Sequence, residues 1–201
     1  MGGLKPSSSR RQAILDAAEN LLAEGGYSAL SIRALAPRAD MSLGLLYYYF
    51  ADKHAVFEAL MQDYQQRTTA FLDSFPRSEG LTVLLQAMVP VAARQWARVG
   101  RVVAVWRAER TDDSPELRAR RVDAAAAQFS ALRKALEETA QAEGLTLRPE
   151  PEIVPFVWSG LMGLADLLAQ GWVEEIDWDR LTDLTVTSIM NQIVDSPGTG
   201  A

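Results

Sequence analysis

Between Ser31 and Lys53 the chain fits two helix-length apolar patterns into 23 residues, SIRALAPRADMSLGLLYYYFADK, with only Asp40-Met41-Ser42 between them. So short a connection holds two brief helices side by side, which restricts the fold more than any other stretch does. Ser31 is placed to cap the first helix, whose Ile32, Leu35 and Ala36 recur at helical spacing to about Ala39. Ser42 is placed to cap the second, in which Leu46 and Phe50 lie four residues apart and share the inward face. The opposite face is left to a ligand. Asp52 can then cap a longer helix, DKHAVFEALMQDYQQRTTAFL, whose first turn brings Lys53 and free amides, both suited to a phosphate oxygen.

Two short helices joined this tightly, the second opening on small or short groups at Ser42 and Gly44, match the helix-turn-helix, in which the second helix presents its N-terminal end to DNA base edges. Successive helical residues point about 100° apart, so Tyr47, Tyr48 and Tyr49 cannot all face one core and at least one hydroxyl must reach the outside. Leu43 is also at helical spacing from Leu46 and Phe50, so burial and DNA contact both remain open for it, whereas Leu45 is harder to bury with that set. Ser31 and Arg33 fit phosphate contacts equally as they fit a plain cap and a solvated charge.

The segment resembles the TetR family of bacterial transcriptional regulators. The likeness is carried by Ala17, Leu21 and Leu22 in the opening helix, the Gly25-Gly26-Tyr27 turn, Leu35-Ala36, Ala39, Met41-Ser42, Gly44, Leu46-Tyr47, Phe50 and Lys53, and it covers about residues 10 to 60. It implies that Tyr47 and Tyr49 touch backbone phosphates while Tyr48 lies near a base or sugar. Two departures stand out. Asp40 sits where the family usually has Gly, and Asp tolerates left-handed backbone better than most residues. Leu43 and Leu45 occupy positions that are commonly Lys, Arg, Thr or Ala, which makes apolar contact with thymine methyls the natural form of readout.

Residues 1–9, MGGLKPSSS, read as a disordered arm, followed by Arg10 and Arg11 at the mouth of a helix with Ile14, Ala17, Ala18, Leu21 and Leu22 on one stripe and an end at Gly25-Gly26. The formal net charge of −6 argues against DNA until it is divided. Residues 1–54 hold six cations and five anions, net +1, and the remainder 14 and 21, net −7. Screening over about 8 Å confines the acidic part's repulsion, yet one head with so few cations binds poorly, so two heads acting on a two-fold site are expected. There is no cysteine and a single histidine, His54, which excludes disulfides and thiolate or multi-histidine metal sites, and no cofactor is expected. Nor does any stretch reach the roughly 18 uninterrupted apolar residues of a membrane span.

An all-α chain of about nine helices is expected: a three-helix head over residues 10–54 and a helical ligand-binding and dimerisation domain over 55–201. Pro76 ends the long helix, Pro90 kinks the next, Gly100 separates a short helix RVVAVWRAER, and Thr111 to Ser114 form a loop before Pro115. A helix then runs from Glu116 to about Glu143, with Arg118, Arg120, Arg121 and Arg133 on a solvated face. The last two helices, 150–170 and 178–194, are joined through a turn at Gly171 and an acidic segment. Ser159, Gly163, Asp166 and Gln170 make a small-to-polar line, and with Thr187, Met190 and Asn191 they are the candidate dimer surface, since the resemblance implies that these helices pair with their symmetry mates in a four-helix bundle. Completion of the chain's own core is the other reading.

Met88, Trp96, Trp106, Phe129, Trp158 and Met162 are candidates to line a pocket for an apolar or aromatic effector, with Gln95, Arg107 or Arg94 as polar anchor. Close packing explains each of them individually as well. With one histidine, no cysteine and no clustered carboxylates the chain offers no catalytic constellation, so an enzyme is not expected. The expectation is a cytoplasmic, homodimeric DNA-binding regulator of a double-stranded operator, a repressor released by a small molecule. Its alternative is a constitutive regulator or activator whose second domain only dimerises or binds a protein.

Overall fold

The computed structural model describes residues 7–109, 115–170 and 175–195. Among them the chain forms eight α-helices: α1 (Ser7–Ala29), α2 (Ile32–Arg38), α3 (Leu43–Tyr49), α4 (Lys53–Ser74), α5 (Leu81–Glu109), α6 (Pro115–Ala142), α7 (Ile153–Gln170) and α8 (Trp178–Ile193). A short 3-10 turn at Arg77–Glu79 and one isolated antiparallel bridge, Leu147 to Val194, complete the regular structure. Residues 1–6 of the expected arm, the loop Thr111 to Ser114 and the turn at Gly171 lie outside the described residues. Ser7 to Ser9, expected in the arm, instead form the first turn of α1.

Eight helices replace the expected nine because Gly100 does not divide α5, which continues through Pro90 and Gly100 to Glu109. Pro90 lies on an exposed side of the helix, and the roughly 1 kcal/mol propensity loss at one glycine is small for a 29-residue helix. Gly26, with φ 65 and ψ −161, does interrupt the helical backbone of α1, although helical bonding resumes to Ala29. The turn chemistry follows the sequence. Ser31 Oγ accepts the Ala34 amide at 3.1 Å, Ser42 Oγ the Leu45 amide at 3.3 Å, and Asp52 Oδ1 the Ala55 amide at 2.8 Å. Asp40 takes a φ of 54, the left-handed geometry that its position between α2 and α3 requires.

The chain divides into two compact units. The first comprises residues 1–64 together with 98–114, so it keeps the first three turns of α4 and the end of α5 with the helix-turn-helix. Its core joins Ile14, Leu15, Ala18 and Leu22 of α1 to Leu35, Leu46, Phe50, Phe57, Leu60 and Trp106. Phe57 is the hub: its ring lies 5.6 Å from Tyr27 and 5.1 Å from Trp106. The boundary expected at residue 54 therefore moves, because Phe57, Leu60 and Tyr64 bury their apolar groups with α1.

The second unit holds residues 65–97 and 115–201. Leu72, Leu81, Leu84, Leu85, Leu132, Leu136, Val157 and Leu161 form its core. Glu143 accepts the Leu81 amide at 2.8 Å and so caps α5 from the end of α6. Inside this unit α7 and α8 pack through Gly160, where an added Cβ would stand 3.1 Å from Ile189 Cδ1. The small residue that allows close approach within the chain is thus Gly160, outside the expected line. Over 18 residues α7 has a mean hydropathy of 1.4 and matches a membrane span in length, unlike any stretch foreseen from uninterrupted apolar runs. Only a third of it is buried, and it carries a bound carboxylate, Asp166.

Candidate nucleic-acid interface and internal cavity

Buried Leu46 and Phe50 anchor α3, and that choice of inner face decides what the outer face shows. Tyr48 is 81% exposed, Tyr47 53% and Leu43 39%, beside exposed Ser42 and Gly44. Of the two readings open for Leu43, the structure gives the exposed one, whereas Leu45 is half-buried. Tyr49 is also half-buried against the first core and meets Tyr48 edge-on at 5.4 Å, so the three tyrosines divide between support and exposure. An added Cβ at Gly44 would meet nothing within 4 Å, which leaves the α3 backbone open to close approach from outside.

Two cations of the head are held by aromatic contacts. Lys53 Nζ sits 4.2 Å from the centre of the Tyr27 ring, and the Arg11 guanidinium lies 5.5 Å from that of Phe50. Arg33 is exposed, and Ser31, half-buried, uses its hydroxyl oxygen as a cap. Arg38 is taken by Glu24 through two bonds of 2.7 and 2.6 Å. That hydrogen-bonded guanidinium holds the Glu24 carboxyl below the ordinary carboxylate range, and Glu24 in turn raises Arg38. His54 makes a contact that sequence reasoning missed: its Nδ1 lies 2.7 Å from the Tyr27 hydroxyl and ties the end of α1 to the first turn of α4. A separation of 27 residues hides such a pair from any local pattern.

Within the second unit, four expected pocket residues converge. Met88 and Gln95 on α5 face Trp158 and Met162 on α7, joined by Thr68, Phe71, Val91, Ala92 and Leu161. Phe129 meets Trp158 edge-on at a ring separation of 6.2 Å and is not among the lining residues. The cavity is about 10 Å³, room for roughly one water. Trp96 is turned aside and donates its indole N–H to Asp166, which also accepts from Gln170 at 2.6 Å. Trp106 belongs to the core of the first unit and does not join this cavity. The Arg107 side chain lies outside the described residues, and Arg94 is exposed. Thr68 and Phe71 were missed because they belong to the α4 pattern, read as the helix next to the head.

Of the candidate dimer surface, Ser159, Gly163, Thr187 and Asn191 are exposed and Met190 is half-buried. Exposed Phe156 and Leu184 add apolar area to the outer sides of α7 and α8. Asp166 and Gln170 differ: their polar groups are engaged with Trp96 and with each other.

Fold and head together define an all-helical protein with a helix-turn-helix. Residues 14–60, which form the head, match the model of the bacterial regulatory proteins, tetR family. The HTH-type transcriptional repressor KstR of Rhodococcus jostii is 45% identical over 58 residues, which are 28% of this chain and 27% of that protein. The chain thus matches about a third or less of the length of the KstR relatives. The fatty acid degradation regulator FadR from Bacillus halodurans superposes with a TM-score of 0.65 at 20% identity, covering 92% of this chain and 97% of that one. FadR from Bacillus subtilis, solved in complex with stearoyl-CoA, gives 0.63 at 17% identity, with 90% and 98% covered. At these identities the superpositions establish the shared fold.

Proposed function

We propose that the protein is a sequence-specific DNA-binding transcriptional regulator, working in the cytoplasm as a homodimer and acting as a repressor that a small-molecule effector releases from its operator. The observation that carries this reading is the outward face of α3, where Leu43, Gly44, Tyr47 and Tyr48 stand exposed on a helix pinned from behind by Leu46. Leu43 supplies apolar contact for thymine methyls, Gly44 permits backbone approach, and the tyrosines with Lys53 and Arg33 hold phosphates. Two such heads joined through α7 and α8 place two recognition helices on a two-fold site and compensate for the small net charge of each.

The effector enters between α4, α5 and α7. Because α4 also carries Lys53 at its start, spreading that cavity shifts a helix on which the DNA contacts depend. Relatives described as repressors and a fold neighbour described in complex with stearoyl-CoA support both halves of the reading. Gel-shift binding to DNA upstream of the protein's own gene should be lost in Tyr48→Ala with the fold intact; unchanged binding would show that α3 is not the reading helix. A cavity of only about 10 Å³ favours a second reading, a constitutive regulator or activator whose second unit dimerises or binds a protein. Concentration-dependent thermal stabilisation by lipophilic compounds separates the two.

A further inference from the structure

The Trp96–Asp166 hydrogen bond bears directly on the cavity, because each partner continues one of its walls. Gln95, which lines the cavity, precedes Trp96 on α5, and Met162, which also lines it, stands one turn before Asp166 on α7. The bond therefore clasps the two walls together at one end of the space. Asp166 is half-buried, accepts from Trp96 and Gln170, and a carboxylate strengthens such hydrogen bonds. With the clasp closed there is room for about one water, so a larger occupant needs the walls on α4, α5 and α7 to move apart.

The lining also sets a charge preference. Thr68 and Gln95 are its polar members; among the described residues no lysine, arginine or histidine lines it, while the Asp166 carboxylate stands one turn beyond Met162. An anionic head group would find no counter-charge there and would approach a like charge.

We propose that Trp96 and Asp166 form a latch that holds the α4–α5–α7 cavity shut, and that the cavity takes an uncharged lipophile with one hydrogen-bonding group for Gln95. The inference rests on the effector-site reading above and adds to it the ligand's charge and a residue pair that sets its affinity. Opening the latch is a penalty that ligand binding must overcome, so removing the indole N–H should tighten binding.

The test titrates the neutral dye Nile red and the anionic oleoyl-CoA into full-length wild type, Trp96→Phe and Asp166→Asn, with melting curves to confirm that each variant is folded. Nile red should bind wild type, bind Trp96→Phe about five- to tenfold more tightly and Asp166→Asn by a smaller gain, with oleoyl-CoA weaker throughout. Equal Nile red affinity in folded wild type and Trp96→Phe would overturn the latch. Tighter binding of oleoyl-CoA than of Nile red would overturn the charge preference. Absence of binding of either probe to any of the three would overturn the effector-site reading together with the inference.

Discussion

Tyr27→Phe separates two tasks that one side chain performs. The Tyr27 ring supports Lys53 at 4.2 Å and meets Phe57 edge-on at 5.6 Å, while its hydroxyl bonds His54 Nδ1 at 2.7 Å. Phenylalanine keeps the ring and deletes the oxygen. Loss of a part-buried hydrogen bond costs about 0.5–1.5 kcal/mol, which in a chain of this size lowers Tm by about 2–4 °C per kcal/mol. Lys53 retains its platform, a contact worth about 0.5–1 kcal/mol at a partly exposed site, so DNA affinity should fall no more than about twofold. Tyr27→Ala removes both and opens a void beside Phe57, with an expected loss of about 3–5 kcal/mol. Melting curves and fluorescence anisotropy on a DNA duplex, run on the same preparations, read the two effects separately. A Tyr27→Phe protein that is fully stable but has lost its DNA affinity would refute this division of labour.

Three further outcomes follow from local geometry. Gly44→Ala adds a methyl group to open space and improves helix propensity by up to about 1 kcal/mol, so stability should hold or rise while DNA affinity drops; unchanged affinity would remove Gly44 from the interface. Gly160→Leu drives a side chain into Ile189 and should destabilise the α7–α8 pair by about 1–3 kcal/mol, whereas Gly163→Leu, in open space, should leave Tm of the monomer intact and lower only the dimer fraction in sedimentation. Glu24 is held below its ordinary range by Arg38, so the pair's contribution is complete above the unfolded carboxyl range and is lost as pH falls through the lowered folded value. In an NMR titration the Glu24 midpoint should rise in Arg38→Gln; an unmoved midpoint would contradict the pairing.

The head was legible in the sequence because its determinants are local. Ser31, Ser42 and Asp52 cap the helices that follow them, and the four-residue spacing of Leu46 and Phe50 defines which side of α3 faces in. Asp40 could be assigned left-handed backbone from residue type alone. Burial of Leu45 and exposure of Leu43 could not be assigned, since both depend on how α3 rotates against α1 and α2. In the second unit Met88, Trp158 and Met162, singled out by aromatic and methionine content, line one cavity, yet that content could not place Trp106 in the other core or turn Trp96 toward Asp166. Those outcomes depend on the rotation of long helices, which composition does not encode. Gly100 shows a further limit: a single glycine reads as a break in isolation, but packing of Val99 and Trp106 on either side of it carries α5 through.

Footprinting on a selected operator tests the central claim most directly. DNA fragments enriched by the wild-type protein from a random pool, then cleaved in its presence, should show a two-fold site with half-sites about one helical turn apart or a multiple of it, rich in thymine where Leu43 docks. The same protection should vanish with Tyr48→Ala, whose side chain is 81% exposed and whose removal should leave the fold intact. A single unpaired half-site, or full protection by the Tyr48→Ala protein, would contradict the account.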